Sequence, residues 1–182
     1  MRRMFRVLSR LIMISLVFAV VGCGNNLSRD KAASAIEKAV EPLYLACASQ
    51  TCEYYGGKRD LSRLESMGLI KNHRSFFATW ITRYERCFFD LTEAANPYIK
   101  KGKSQFDFQF YVITATVNSV EVNGISKPSD LLGRKVCTAT YTASYKPTPF
   151  GEALIEDKNK LSRSGQAVFV LYDDGWRLNN LE

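Results

Sequence analysis

The sequence predicts an α+β fold in which N-terminal helices pack on a curved antiparallel sheet. Two segments before residue 70 carry apolar residues at the three- and four-residue spacing of amphipathic helices. From residue 106 onwards, apolar and polar side chains instead alternate, as they do in half-buried strands. Helices followed by a run of strands are typical of α+β domains.

The first helix is expected to begin at Ser28 or Asp30, which can cap it, and to run to about Ala46. Pro42 is expected to kink or end its first segment. A second helix should follow Asp60 and end at Gly68. The apolar positions that share a face in these two helices are Ala33, Ile36, Val40, Leu43, Leu61, Leu64 and Met67.

Short elements are expected between these helices and the main sheet. Segment 76–84 mixes aromatic residues with isoleucine and threonine and could form a strand or a helix, of which a strand is favoured. Segment 87–89 is expected to continue as a short strand. Thr92 can cap a helical turn that reaches Tyr98 and Ile99 and ends at the charged segment 100–102.

The remaining elements are predicted strands and turns. Segment 106–122 is expected to form one long strand that bends or bulges in its middle, with a turn at Asn123-Gly124 and a loop over 126–133. Segment 136–145 should be a strand that ends at Pro147 and Pro149. A helical turn over 150–157 and a connection over 158–164 precede a central strand at 166–172. That strand is joined to a return strand at 176–179 by the turn 173–175. The expected inward face of the 136–145 strand carries Cys137, Ala139, Tyr141, Ala143 and Tyr145.

The N-terminus has the composition of an export signal. Four arginines and no acid lie within the first ten residues, and segment 11–21 is apolar apart from Ser15. This run is shorter than the roughly 20 apolar residues that a membrane span needs. It ends at Val20-Val21-Gly22-Cys23, which resembles the lipobox of bacterial lipoproteins. The alternative is an uncleaved anchor helix in which Cys23 is a chance thiol.

The lipobox resemblance implies a division of the chain and a location. Residues 1–22 would be a signal peptide, residues 23–28 a lipidated N-terminus and tether, and residues 29–182 a single domain. Cys23 would carry diacylglycerol and a further acyl chain such as palmitate, which makes membrane lipid its first partner. Gly24 is not the aspartate of inner-membrane retention, so the implied location is the periplasmic face of the outer membrane, or the cell surface of a single-membrane cell.

The charge of the chain is concentrated in this N-terminal segment. The full chain has a formal charge of +7, and removal of residues 1–22 leaves 21 basic and 18 acidic residues, a charge of +3. This modest charge and an exported location argue against nucleic acid as a partner.

Four cysteines follow Cys23, and an even number in an oxidising compartment suggests two disulfides, for which three pairings are possible. The favoured pairing is Cys47–Cys52 and Cys87–Cys137. The second bond would close a loop of about 50 residues, for which the chain-entropy account gives roughly 4 kcal/mol of stabilisation. No CxxC motif is present and His73 is the only histidine, so no metal site is expected.

Neither a catalytic residue nor a cofactor is expected. His73 is the one side chain with an ordinary pKa near neutrality, but no G-x-S-x-G motif surrounds a serine and no phosphate-binding glycine loop occurs. The adjacent carboxylates Asp173 and Asp174 are explained by the turn that they form.

The ending of the chain, residues 167–178, resembles the last hairpin of NTF2-like (cystatin-like) domains, which include several small bacterial lipoproteins. That resemblance implies a concave cavity beneath the sheet. Aromatic residues could line it or could pack in the core: Tyr54, Tyr55, Tyr141, Tyr145, Phe150, Tyr172 and Trp176.

The sequence favours a binding protein. A candidate partner-binding loop, which is expected to be exposed, contains Tyr145, Pro147, Pro149 and Phe150. The alternative for this segment is a rigid turn that ends a strand. The predicted function is that of a non-enzymatic envelope lipoprotein that binds another envelope protein as an accessory or assembly factor. The rival hypotheses are a small-ligand-binding or enzymatic NTF2-like domain, and an inhibitor or immunity lipoprotein.

Overall fold

The computed structural model describes residues 26–48, 51–55, 61–77, 85–101 and 109–182. The signal segment, Cys23, the Asp60 cap and positions 78–84 of an expected strand therefore lie outside the described residues. Among the described residues, the chain forms an α+β structure of three α-helices, two 3₁₀ helices and ten strands.

The helices are short and the strands vary widely in length. The α-helices are α1 (Arg29–Ala39), α2 (Ser62–Ser66) and α3 (Pro149–Leu154), and the 3₁₀ helices are Glu93–Tyr98 and Lys158–Leu161. The first five strands are β1 (Leu43–Ala48), β2 (Thr51–Tyr55), β3 (Ile70–Phe77), β4 (Glu85–Leu91) and β5 (Ile99–Lys101). The last five are β6 (Gln109–Ile125), β7 (Ser129–Leu131), β8 (Arg134–Pro147), β9 (Ser162–Tyr172) and β10 (Gly175–Leu181).

All ten strands belong to one sheet in which every described pairing is antiparallel. The order is β10-β9-β8-β6-β1-β2-β4-β3, with β5 paired to β6 and β7 paired to β8 outside this path. The large antiparallel sheet expected from the sequence is therefore confirmed.

The first helix ends earlier than the sequence predicts. Ser28 caps α1, and its Oγ accepts a hydrogen bond of 3.3 Å from the Lys31 backbone N–H. The helix stops at Ala39, and after Pro42 the chain enters β1 rather than a helix to Ala46. Proline has no N–H to donate and favours an extended residue before it, so the chain leaves the helical conformation here.

Strand β6 is long and bulged, as predicted, and it takes part in two hydrophobic cores. Its partner registers shift between Val117 and Ser119 and between Val122 and Gly124. The expected turn at Asn123-Gly124 was therefore wrong, because this pair lies at the second bulge inside the strand. A bulge and a turn favour the same residue types, since both take the chain out of the regular ladder.

The first core lies between α1 and the half of the sheet formed by β6, β8, β9 and β10. The expected inward face of β8 is confirmed, since its alternate residues from Cys137 to Tyr145 are all buried. The turn at 173–174 joins β9 to β10 as predicted. The expected loop 126–133 contains the short strand β7, which pairs back on the start of β8.

The second core lies beneath β1, β2, β3 and β4 and is covered by α2, α3 and the 3₁₀ helix Glu93–Tyr98. Leu61 and Leu64 are buried there as the helical pattern predicts, whereas Met67 is exposed. Gly68 ends this segment with a φ of +67°, the left-handed conformation that favours glycine. Arg63 of α2 and Glu152 of α3 form an ion pair at 2.6 Å across the surface of this core.

Helix α3 packs directly on the backbone of β6 at Gly151. A Cβ at this position would lie 1.9 Å from the Thr114 carbonyl oxygen, a distance that no rotamer change relieves because the obstructing atom is backbone. Thr148 fixes the approach, since its Oγ1 accepts from the Gly151 N–H at 3.2 Å and donates to the Thr114 oxygen at 3.0 Å.

Gly151→Ala is predicted to lower the free energy of unfolding by about 1–3 kcal/mol or more, because α3 must move away from β6. Urea denaturation followed by circular dichroism measures this change. Gly124→Ala is the matched control, since its Cβ would meet only the Thr140 hydroxyl at 3.3 Å. Equal effects of the two substitutions would contradict the packing described for α3.

Candidate functional site

One of the two expected disulfides is confirmed. Cys47 and Cys52 lie opposite each other on β1 and β2, with their Cα atoms 4.3 Å apart, and their sulfurs are bonded. The bond joins the two strands across the short connection between them.

The second expected disulfide, Cys87–Cys137, was wrong. Cys87 is a buried free thiol of β4 in the second core, and Cys137 is a buried free thiol of β8 in the first. The strands β6, β1 and β2 lie between them, and four strand spacings amount to roughly 19 Å. A disulfide needs Cα atoms within about 7 Å. Burial raises the pKa of both thiols above its usual value, with a smaller contribution from Glu85 at Cys87.

The predicted partner-binding loop is a buried junction. Tyr145 and Phe150 are buried, and Pro147 and Pro149 are half-buried where β8 passes into α3. The Phe150 ring packs on the rings of Phe89 and Tyr98, with centroids 6.3 and 5.8 Å away. The expectation of an exposed loop was therefore wrong, and the alternative of a rigid strand-ending turn describes the segment.

The larger candidate sites are two grooves at the ends of the first core. The first, which we call the tyrosine groove, has a volume of about 690 Å³ and opens where α1 ends. Its floor is the inner face of β8, and its walls come from the α1–β1 connection and the ends of β9 and β10. Its principal side chains are Leu43, Tyr44, Tyr141, Tyr145, Arg163 and Leu181.

The polar groups of the tyrosine groove are hydrogen-bonding rather than catalytic in character. Burial raises the pKa of Tyr145, an effect that the Arg163 guanidinium opposes and the neighbouring Tyr141 phenol reinforces. At the rim, the Lys100 ammonium donates to the Tyr44 hydroxyl at 3.2 Å and to Glu41 at 2.9 Å. Phenols and a guanidinium beside the apolar side chains of Leu43, Ala143 and Leu181 suit the binding of a partly apolar group that carries hydrogen-bond acceptors.

The second groove, which we call the basal groove, has a volume of about 770 Å³ and lies at the opposite end of the first core. It is lined by Asn26, Lys31 and segments 133–135 and 171–176. Two guanidinium groups lie near the Tyr172 ring, that of Arg134 at 5.6 Å and that of Arg177 at 5.1 Å from its centroid. Hydrogen bonding from Arg177 lowers the pKa of Asp174, with which it forms an ion pair.

The aromatic residues that the sequence suggested for one concave cavity are divided among different places. Tyr141 and Tyr145 line the tyrosine groove, and Tyr172 and Trp176 line the basal groove. Tyr54 and Tyr55 line a depression of about 260 Å³ over the second core, whereas Phe150 is core. Tyr44 and Arg163 were not identified from the sequence, because Tyr44 fell in a predicted helix and Arg163 in a predicted connection.

The two grooves lie at opposite ends of α1. Lys31 of its first turn lines the basal groove, and Ala39 at its last residue lines the tyrosine groove. Eleven residues of α-helix span about 16 Å. One end of the first core thus carries the basal groove, where the described chain begins, and the other end carries the tyrosine groove.

Of the residues considered for chemistry, Asp173 and Asp174 line the basal groove, whereas His73 lines neither groove. The His73 Nδ1 atom is 3.1 Å from Glu65 Oε2 on the exposed surface of β3. Over the described ranges, no three His, Cys, Asp or Glu side chains come close enough together to hold a metal ion. No helix in the part of the chain that the structure describes combines the length and apolar character needed to cross a membrane.

Comparison of this chain with family models, with curated proteins and with solved structures gives no match.

The buried Tyr145 phenol predicts a pH dependence of stability. Its pKa in the folded chain lies above the ordinary value of about 10, so the unfolded chain loses this proton first as pH rises. The stability contributed by the neutral phenol is present below pH 10 and is lost as pH rises towards the folded pKa. The free energy of unfolding, measured by urea denaturation between pH values of about 9 and 11, is therefore expected to fall less steeply in Tyr145→Phe.

Tyr172→Phe removes an exposed phenol from the basal groove and is the matched control. It is expected to keep the wild-type slope. A wild-type slope in Tyr145→Phe would contradict the burial of that phenol.

The cysteine arrangement predicts a specific thiol pattern. In the Cys23→Ser chain without reductant, alkylation of the folded protein should leave Cys87 and Cys137 unmodified, because both thiols are buried. Alkylation in denaturant should modify both, and peptide mapping should recover Cys47 linked to Cys52. Recovery of a peptide that links Cys87 to Cys137 would refute this pattern.

Proposed function

We propose that this chain is a lipid-anchored envelope protein of non-enzymatic type that binds another envelope protein as an accessory or assembly factor. The lipobox-like residues Val20-Val21-Gly22-Cys23 support removal of residues 1–22 and acylation of Cys23. Diacylglycerol with a further chain such as palmitate gives a stable attachment, because two or more chains are needed for one. Gly24 favours the periplasmic face of the outer membrane.

The observation that carries this proposal is the placement of the two grooves relative to the start of the folded domain. Leu27 is buried in the first core and Ser28 caps α1, so residues 27 and 28 are already part of the folded domain. Asn26 follows Cys23 by three residues, a span of at most about 11 Å. A lipid at Cys23 therefore holds the basal end close to the bilayer and directs the tyrosine groove away from it.

The side chains of the tyrosine groove favour a protein partner. Tyrosine and arginine are the residue types that contribute most at protein interfaces, since each presents a large amphipathic surface with few rotatable bonds or a rigid donor set. The Lys100 ammonium donates to the Tyr44 hydroxyl, and Tyr44 lies in β1, directly after the connection that contains Pro42. A groove of this kind can receive a partner segment without reorganising.

A small-ligand-binding domain of the NTF2-like (cystatin-like) kind is the second candidate. The observation that favours it is that the tyrosine groove opens onto the inner face of β8, where a ligand would meet Tyr141, Ala143 and Tyr145. A small ligand would raise the melting temperature of the wild-type chain and have a smaller effect on Tyr145→Ala.

Photo-crosslinking in intact cells tests the proposed function. A benzoylphenylalanine residue at Arg163, which is exposed in the tyrosine groove, is expected to give one abundant protein adduct in the chain that carries Cys23. The adduct should be lost in Cys23→Ser, because the unacylated chain is no longer concentrated at the membrane.

The same residue at Asp173 is the matched control, since this exposed position lies in the basal groove at the opposite end of α1. It is expected to give no adduct with that partner. A protein adduct from Asp173 with none from Arg163 would overturn the proposed orientation. Retention of the Cys23→Ser chain in the membrane fraction would overturn the lipid anchor.

A further inference from the structure

The turn between β7 and β8 exposes an apolar residue in a conformation that it rarely adopts. Leu132 and Gly133 are the two turn residues, with φ values of 51° and 76°. Two-residue hairpin turns with φ positive at both positions favour Asn-Gly or Gly-Gly, because bulky side chains clash with the backbone there. The Leu132 side chain is 97% exposed, and that of Leu131 beside it is 60% exposed. Leu132 therefore strains the backbone and buries almost no apolar surface in return.

The described chain begins next to this turn. Asn26 lines the basal groove together with Gly133, Arg134 and Lys135. It also lines a second depression, of about 260 Å³, together with Lys127 and Pro128 at the other side of the hairpin. Because Cys23 is three residues before Asn26, the acylated residue of the proposed function lies within about 11 Å of the chain that borders this hairpin.

The charges around the turn suit the surface of a bilayer. Segment 126–135 carries the cations Lys127, Arg134 and Lys135 and one acid, Asp130. In the adjacent β9–β10 turn, Asp174 is paired with Arg177, and Asp173 is the other acid. An apolar tip with cations at its base is the pattern of segments that rest in the interfacial layer, where leucines enter the acyl region and cations meet lipid phosphates.

We propose that the β7–β8 hairpin docks on the bilayer that holds Cys23, with Leu131 and Leu132 inserted among the lipids and Lys127, Arg134 and Lys135 at the headgroups. The occupant of this surface is lipid rather than protein, since the short segment from Cys23 to Asn26 keeps the hairpin at the membrane. The hairpin is then a second contact that fixes the orientation of the domain. This inference rests on the lipid anchor of the proposed function.

The test uses the full mature chain reconstituted in vesicles of phosphatidylethanolamine and phosphatidylglycerol. A nitroxide label is attached to the cysteine of the Leu132→Cys variant. The accessibility of the label to a water-soluble nickel complex is measured in the vesicles and again after detergent has released the chain from them. The vesicles are expected to reduce this accessibility several-fold. The native thiols Cys87 and Cys137 are buried and do not compete for the label.

Met67→Cys is the matched control, because Met67 is also an exposed apolar residue, at 46%, but it lies at the end of α2, the helix that covers the second core. Its accessibility should be the same in vesicles and in detergent. Adding Lys135→Glu to Leu132→Cys should restore part of the accessibility at the turn, because an acid at the headgroup level repels phosphatidylglycerol.

The outcomes separate this inference from the anchor. The mass of the N-terminal peptide reports acylation of Cys23 in the same sample. An acylated chain whose residue 132 remains accessible overturns the docking and leaves the anchor intact. An unmodified Cys23 with residue 132 protected by vesicles overturns the anchor and supports the docking. Protection in cell membranes but not in vesicles of lipid alone overturns the lipid assignment in favour of a protein at the hairpin.

A substitution at the turn distinguishes a membrane role from a structural one. Leu132→Asn places a residue that tolerates positive φ at this position, so the melting temperature of the folded chain should stay the same or rise. A nitroxide label at Leu131→Cys should be more accessible in vesicles when the chain also carries Leu132→Asn than when it keeps the native Leu132. A lower melting temperature with unchanged accessibility would assign Leu132 to folding and overturn the docking.

Discussion

The register of β6 is the constraint on which the rest of the structure depends. This strand has 17 residues, about 56 Å of extended chain, and it pairs with β1 along its first half and with β8 along its second. Val112 contributes to the second core, and Val122 to the first. A slip of one residue would turn both sets of side chains to the opposite face. Both bulges lie in the part of β6 that faces the first core, where they increase the local twist of the strand.

The two cores are joined where β6 passes Thr114. Its buried hydroxyl donates to the Leu43 carbonyl of β1 at 3.1 Å, and its carbonyl accepts from the Thr148 N–H at 2.9 Å. Thr148 in turn caps α3, which places Phe150 in the second core. Each of these buried polar groups has a partner, as a stable interior requires. The absence of a side chain at Gly151 permits this arrangement, because nothing larger fits between α3 and the β6 backbone.

The elements that depend on local pattern were predictable from the sequence, and those that depend on strand order were not. The inward face of β8 follows from alternation, and the β9–β10 turn follows from its Asp-Asp-Gly residues. Sequence spacing could not show that Cys87 and Cys137 are too far apart for a disulfide, because their separation depends on the three strands that lie between them in the sheet. Tyr44 was placed in a helix because the helical spacing of apolar residues continues past Pro42, although the backbone leaves the helical conformation before that residue. The expected exposure of the segment from Tyr145 to Phe150 was wrong for a related reason. Aromatic residues beside prolines indicate a rigid turn, but burial of Phe150 depends on the packing of α3 onto β6.

Under the proposed anchoring, the short link between Cys23 and the first core would let the fold determine the distance of the tyrosine groove from the bilayer. A flexible linker of tens of residues would let a domain sample many distances from the bilayer. Here Leu27 is already part of the core, so at most about 11 Å of chain separates Cys23 from Asn26. The groove then stands beyond the bilayer by the length of α1, about 16 Å, together with that link. Under the proposed anchoring, a partner in the same membrane would have to present its contact surface at this height, because attachment raises the effective concentration only where both sites can be reached together. With that anchor in place, the fold would favour partners that project from the membrane over those whose surface lies flush with the lipid.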